Sequence, residues 1–226
     1  MNLQLIRLLH LASPALPVGA FSYSQALEWA VESGTVTTEA AAQSWIRDAL
    51  YFAIARCEAP ALIGLMRAWS AGNAAEVARL NAEFIATRET SELRAETLQM
   101  GYSLARLLRD LPETPEATKA TLAPPGEIAY PTPWAAAAAH WQIDELDAAS
   151  AYLWAWLENQ VMAAVKLVPL GQTAGQRMLA ALSPELSALA AEALRRADSE
   201  DWENFTPGMT LASCQHETQY TRLFRS

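Results

Sequence analysis

The side chains able to do metal or acid–base chemistry are few and dispersed in this sequence. Its three histidines, His10, His140 and His216, stand far apart, and none has a second His or Cys at the i+3 or i+4 spacing of a helical metal site. That argues against a dedicated metal cage. His216 lies beside Cys214 and Glu217, a grouping suited to no more than a weak, transient metal contact, and it reads as a surface or interface histidine. The Gly171 to Gly175 stretch lacks the Lys-Ser/Thr pair of a phosphate-cradling loop, so the chain does not read as a nucleotide hydrolase. Arg88, Glu89, Glu92, Arg94 and Glu96 crowd the start of a helix that begins at Thr90. Carboxylates there favour the positive end of the helix dipole, a structural reason that makes them unconvincing as a catalytic pair. No catalytic set and no cofactor site emerges.

Two charges stand in unexpected places. Glu28 and Lys166 are each the single charge of an apolar helical stretch, so each is either snorkelling at the edge of the core or paired. Lys166, near a helix C-terminus, also has the dipole to favour it. The end of the chain is unusual as well: Tyr220, Leu223 and Phe224 fall at i, i+3 and i+4, so one helical turn gathers them on one face, with Arg222 and Arg225 on another. A helix that short does not hold itself together in water, and it must be ordered by its own domain or by a partner. Cys57 and Cys214 have no metal-type spacing; reduced thiols are the simplest reading, with a disulfide between them left open.

The elements that must position these residues are helical throughout. No run of strict apolar–polar alternation argues for a sheet, so the class is all-α, a single-domain bundle of roughly ten helices over residues 1–226. A short apolar helix over residues 3–11 is stopped by the prolines and glycine of residues 13–19. Ser22, with Gln25 completing a capping box, starts the next, and Gly34 ends it. Helices follow over 38–57, 60–71, from the Asn73/Glu76 cap to about Thr87, and over 90–111. Residues 112–133 read as a loop with one helical turn; helices resume over 134–141, 144–168, 173–182 and 184–197, the last with Ser183 as N-cap and Pro184 at the first position.

Composition limits what such a bundle does. Of the 226 residues, 52% are hydrophobic and 18% charged, enough for a large core and for surfaces meant for other proteins. A net charge of -9 and the lack of a basic recognition helix argue against nucleic-acid binding. The segment from Met1 to Arg7 lacks the basic region and cleavage site of a signal peptide. The most apolar segment, residues 161–170, is interrupted by Lys166 and Pro169 and falls short of the roughly 20 residues that span a bilayer. The expectation is a cytoplasmic protein with no membrane partner.

Four blocks carry a family resemblance: Ser13-Pro14-Ala15-Leu16-Pro17-Val18-Gly19-Ala20-Phe21-Ser22-Tyr23-Ser24 with Leu27-Glu28; Arg88-Glu89-Thr90-Ser91-Glu92-Leu93-Arg94; Val165-Lys166-Leu167-Val168-Pro169-Leu170-Gly171-Gln172 with Gly175-Gln176; and residues 216–226. In this order they resemble the urease accessory protein UreF family. One departure is Ala26, where that family often has glycine, a conservative exchange inside a helix. The resemblance implies an all-helical dimer without enzymatic activity that assembles with UreD (UreH), with the nickel-carrying GTPase UreG and with apo-urease, and couples GTP binding or hydrolysis to nickel delivery. It implies that His216, Glu217, Tyr220, Arg222, Leu223, Phe224 and Arg225 belong to a segment ordered in the UreD complex, the aromatics inserting into UreD and the arginines at the rim. It further implies that Glu28 and Lys166 lie on a face that meets the GTPase. The competing reading is a direct activator in which Arg88, Arg94 or a tail arginine reaches the nucleotide as an arginine finger.

Overall fold

The computed structural model describes residues 3–124 and 126–226. Met1 and Asn2, which open the segment read for a signal peptide, and Pro125, in the 112–133 connection, lie outside the described residues. Among the described residues every regular element is helical: α1 Leu3–Leu11, α2 Leu27–Glu32, α3 Glu39–Ala49, α4 Ala59–Ser70, α5 Ala74–Ala86, α6 Ser91–Asp110, α7 Glu116–Thr121, α8 Pro131–His140, α9 Glu145–Leu167, α10 Gln172–Leu182, α11 Leu186–Asp198 and α12 Pro207–His216.

Most boundaries follow from local chemistry. Thr38, Asn73, Thr90 and Asp144 each accept a main-chain N–H of the first turn, which satisfies donors that have no partner inside the helix. Gly34 closes α2 in the left-handed region. The expected break between residues 57 and 60 does not occur. Leu50–Glu58 is π-helical and joins α3 to α4 in one run, Glu39–Ser70, with the Ala59 N–H donating to Ile54 O. Pro60 has no N–H to give within this run, and the Arg56 carbonyl one turn before it accepts the Glu203 N–H instead, at 3.0 Å. That run is long and apolar enough to cross a membrane, yet 78% of its apolar window is buried inside the fold.

The core is built around α4, which packs on α8, α5, α11 and α9. Alanines 135–138 and the fully buried Trp134 let α8 approach closely, and Gly101 of α6 does the same for the chain at Ile128, where a Cβ would fall 2.0 Å from the carbonyl oxygen. Two expected boundaries are corrected. Helix α8 begins at Pro131, and Ser183 caps nothing: residues 183–185 form a 3-10 turn that leads into α11. Helix α12 has only a faint apolar pattern, and no sequence signal marked it. Cys57 is buried and Cys214 exposed, both as free thiols, so the disulfide left open by the sequence is not formed.

Candidate functional site

The first sequence block does not open a helix at Ser22. Residues 20–22 make one 3-10 turn after Gly19, Gln25 and Ala26 adopt positive φ, and α2 starts at Leu27. The Ser22/Gln25 capping box is therefore not formed. Ser24 Oγ instead accepts the Glu28 N–H at 3.2 Å, and the Gln25 side chain bridges Trp156 Nε1 and Glu96, each at 2.8 Å. Ala26, at φ 69 and fully buried, is not inside a helix; it occupies a left-handed position that favours glycine, so the exchange there is a strained one.

This turn presents Ser24 and Glu28 to the end of the chain. Residues 217–226 form no helix, in contrast to the turn expected at 220–224. Their main-chain donors go elsewhere: Leu223 N–H donates to Glu28 Oε1 at 2.6 Å, Phe224 N–H to Glu28 Oε2 at 2.8 Å, and Arg225 N–H to Ser22 O at 2.8 Å. Ser24 donates from both N and Oγ to the Ser226 main-chain oxygen, at 2.7 and 2.6 Å. A carboxylate that takes two consecutive N–H groups replaces the helical acceptors and holds the segment in an irregular, bent course. The three apolar residues consequently part company: Phe224 is buried in the main core, while Tyr220 and Leu223 face outward, the latter 65% exposed.

His216, fully buried at the end of α12, stands between two carboxylates, with Nδ1 2.7 Å from Glu92 Oε2 and Nε2 3.3 Å from Glu28 Oε2. Glu92 also accepts Arg222 Nη1 at 2.8 Å. Both glutamates are committed as acceptors, and only an imidazolium supplies an N–H to each of them. One turn along α6, Glu96 accepts Ser226 Oγ at 2.7 Å. Burial pushes this carboxyl up to about 7, against the hydrogen bonds from Gln25 and Ser226 that favour its ionised form. At the rim, Ser91 Oγ donates to Glu217 at 2.6 Å, and Thr90 and Ser213 share a buried hydroxyl contact at 2.8 Å.

Beyond Glu96 lies a second buried cluster. Glu58, delivered by the π-helical stretch, pairs with Arg88 at 2.7 Å and accepts Tyr152 Oη at 2.8 Å. The Arg88 guanidinium also covers the Phe84 ring at 4.4 Å. A cavity of about 70 Å³ separates the two clusters, lined by Gln25, Glu96, Tyr130, Glu58, Arg88 and Tyr152.

The predicted residues thus converge. Glu28, His216, Arg222, Leu223, Phe224 and Arg225 meet at one locus, and Lys166 joins them from α9, its exposed ammonium 5.6 Å over the Phe224 ring. Glu217 and Tyr220 lie on the outer side of the segment. Sequence reasoning placed Gln25 in a capping box, read Glu92 and Glu96 as carboxylates favoured by the helix dipole, and gave Ser24 and Ser226 no role of their own. The i, i+4 spacing of Glu92 and Glu96, facing a segment with a histidine and arginines, was the available signal. Of the arginines weighed as a finger, Arg88 is buried against Glu58, Arg94 pairs with Glu127 at 2.7 Å and Arg222 with Glu92. Among the described residues no group of three or more His, Cys, Asp or Glu is placed to hold a metal ion.

Comparison with known proteins gives a consistent result. A family model described as UreF matches residues 36–183. A protein named urease accessory protein UreF from Azoarcus sp. (strain BH72) is 62% identical over 226 residues, covering 99% of this chain and 96% of the relative. Relatives of the same name from Dechloromonas aromatica (strain RCB) and Methylobacillus flagellatus (strain ATCC 51484 / DSM 6875 / VKM B-1610 / KT) are 56% and 46% identical, covering 99% and 98% of this chain and 98% and 97% of their own lengths. The family model stops short of Glu28 and of the C-terminal segment, whereas these relatives align across nearly the whole chain.

Proposed function

The chain belongs to the UreF family of urease accessory proteins, and from that premise we propose that it is a non-enzymatic adaptor that bridges UreD (UreH) and the nickel-carrying GTPase UreG during delivery of nickel to apo-urease. Its relatives are named as accessory proteins, not as enzymes. The observation that carries the reading is the latched C-terminal segment: its main chain and Phe224 are held by the body, while Tyr220 and Leu223 are turned to solvent. A segment ordered by its backbone and displaying its apolar side chains is preorganised for a partner, because little freedom remains to be lost on binding. UreD is the partner assigned to this face. Lys166, exposed beside Phe224, extends the same surface toward the GTPase, and Glu28 supports it from below.

Other apolar side chains support a protein with several interfaces. Leu3, Leu5, Ile6 and Leu9 leave one side of α1 apolar and exposed, a surface suited to a second copy of the chain in a cytoplasmic homodimer. The buried pairing of Arg88 favours the adaptor over an arginine finger, since withdrawing it would strand the Glu58 charge. Co-purification with UreD and UreG, with masses read by light scattering, tests the proposal. A ternary complex is expected, and failure of UreD to associate at micromolar concentrations would overturn it.

A further inference from the structure

We propose that the C-terminal segment is a proton-dependent latch: protonated His216 pins residues 217–226 to Glu28 and Glu92, and loss of that proton releases the segment while the helical body stays folded. The geometry carries this. Glu28 accepts Leu223 and Phe224 N–H, Glu92 accepts Arg222, and His216 faces an oxygen of each carboxylate with a different ring nitrogen. A neutral ring retains one N–H, so deprotonation turns a lone pair toward one of two buried carboxylates. The closer contact, to Glu92, keeps the proton, and Glu28 becomes the uncompensated charge beneath the segment.

The groups around the imidazole are arranged to make this decisive. Helix α2 contributes Glu28, and α6 contributes Glu92 with Glu96 one turn on. From the chain end come Arg222, bound to Glu92, and Glu217, bound to Ser91; Glu89 is engaged by Thr210 and Lys166 by the Phe224 ring. The only cation within hydrogen-bond distance of Glu28 is therefore the imidazolium among the described residues. Glu96 acts in the same direction. Its folded value of about 7 lies above the ordinary 4.5, so the stabilisation it gives is present in acid and lost as pH rises through about 7. Phe224 is the single buried apolar side chain of residues 217–226, so polar contacts carry most of the anchoring.

The latch is a property of the isolated chain: its failure leaves the docking proposal standing, and a segment that ignores UreD leaves the latch standing. Hydrogen exchange of residues 217–226 in the full chain, corrected for intrinsic rates and compared at about pH 6 and about pH 9, reads it directly. Protection of the segment is expected to fall by roughly tenfold or more across that range while α9 keeps its protection. In His216→Gln the segment is expected to be weakly protected at both values. Equal protection of the wild-type segment at the two pH values overturns the proposal, as does opening of the segment together with α9. A His216→Gln chain that retains the full wild-type fall assigns the switch to Glu96 and overturns the role of His216.

Discussion

The molecule holds two buried clusters of charge within one cavity's width of each other, and they are framed in opposite ways. Glu58, Arg88 and Tyr152 come from the π-helical stretch, the entry to α6 and the middle of α9, all of which are fixed by the core. Glu28, Glu92 and Glu96 come from equally fixed helices, but their donors, Leu223, Phe224, Arg222 and Ser226, lie on a segment with no regular structure, and His216 at the last residue of α12 adds the imidazole. A charge whose partner cannot leave is part of the frame. A charge whose partner can leave is a binding site already occupied by its own chain. The first arrangement resists change, while the second lets a local event be read at the surface where Tyr220 and Leu223 stand.

The largest contrast is expected in stability. Arg88→Met removes the partner of Glu58 and leaves its buried carboxylate uncompensated, so the loss is expected to be about 3–5 kcal/mol by chemical denaturation. Glu28→Gln removes the carboxylate that faces His216 Nε2 and one of the two acceptors for the segment's N–H groups. Because the segment can undock and be solvated, the global loss is expected to be capped at about 1–3 kcal/mol, with early proteolytic clipping confined to residues beyond 216. Equal losses for the two variants would erase the distinction between the clusters.

How far these regions could be read from the sequence follows the same division. Caps, apolar stripes and the Gly34 stop lie within one turn of the residues they control, and helices α3, α5, α6 and α9 began where Thr38, Asn73, Thr90 and Asp144 placed them. The oddity of Glu28, Lys166 and the tail was visible for the same local reason: a charge or an aromatic in the wrong company. What brought them together was not visible. The Glu28 contacts with Leu223 and Phe224 span 195 and 196 residues, and no local pattern encodes them. The apolar spacing at 220, 223 and 224 suggested a helical turn because side-chain periodicity is silent about a distant carboxylate that captures two N–H groups. Ala26 misled similarly: alanine is a strong helix former, and only tertiary packing holds it at φ 69.

The smallest effect on stability and the largest on assembly are expected from the outward side of the segment. Tyr220→Ser combined with Leu223→Ser removes two side chains exposed at 103% and 65%, leaves every anchoring bond of the segment in place, and is expected to change folding stability by less than about 0.5 kcal/mol. Deleting residues 220–226 is the less discriminating experiment, because it also takes Phe224 from the core and leaves Glu28 without its N–H donors. The direct test is the affinity of the double variant for UreD, measured by titration calorimetry beside the wild type. Weakening of about thirtyfold or more, with an unchanged unfolding midpoint, is the result expected of a latched segment that docks through its exposed apolar pair. An unchanged affinity would contradict it.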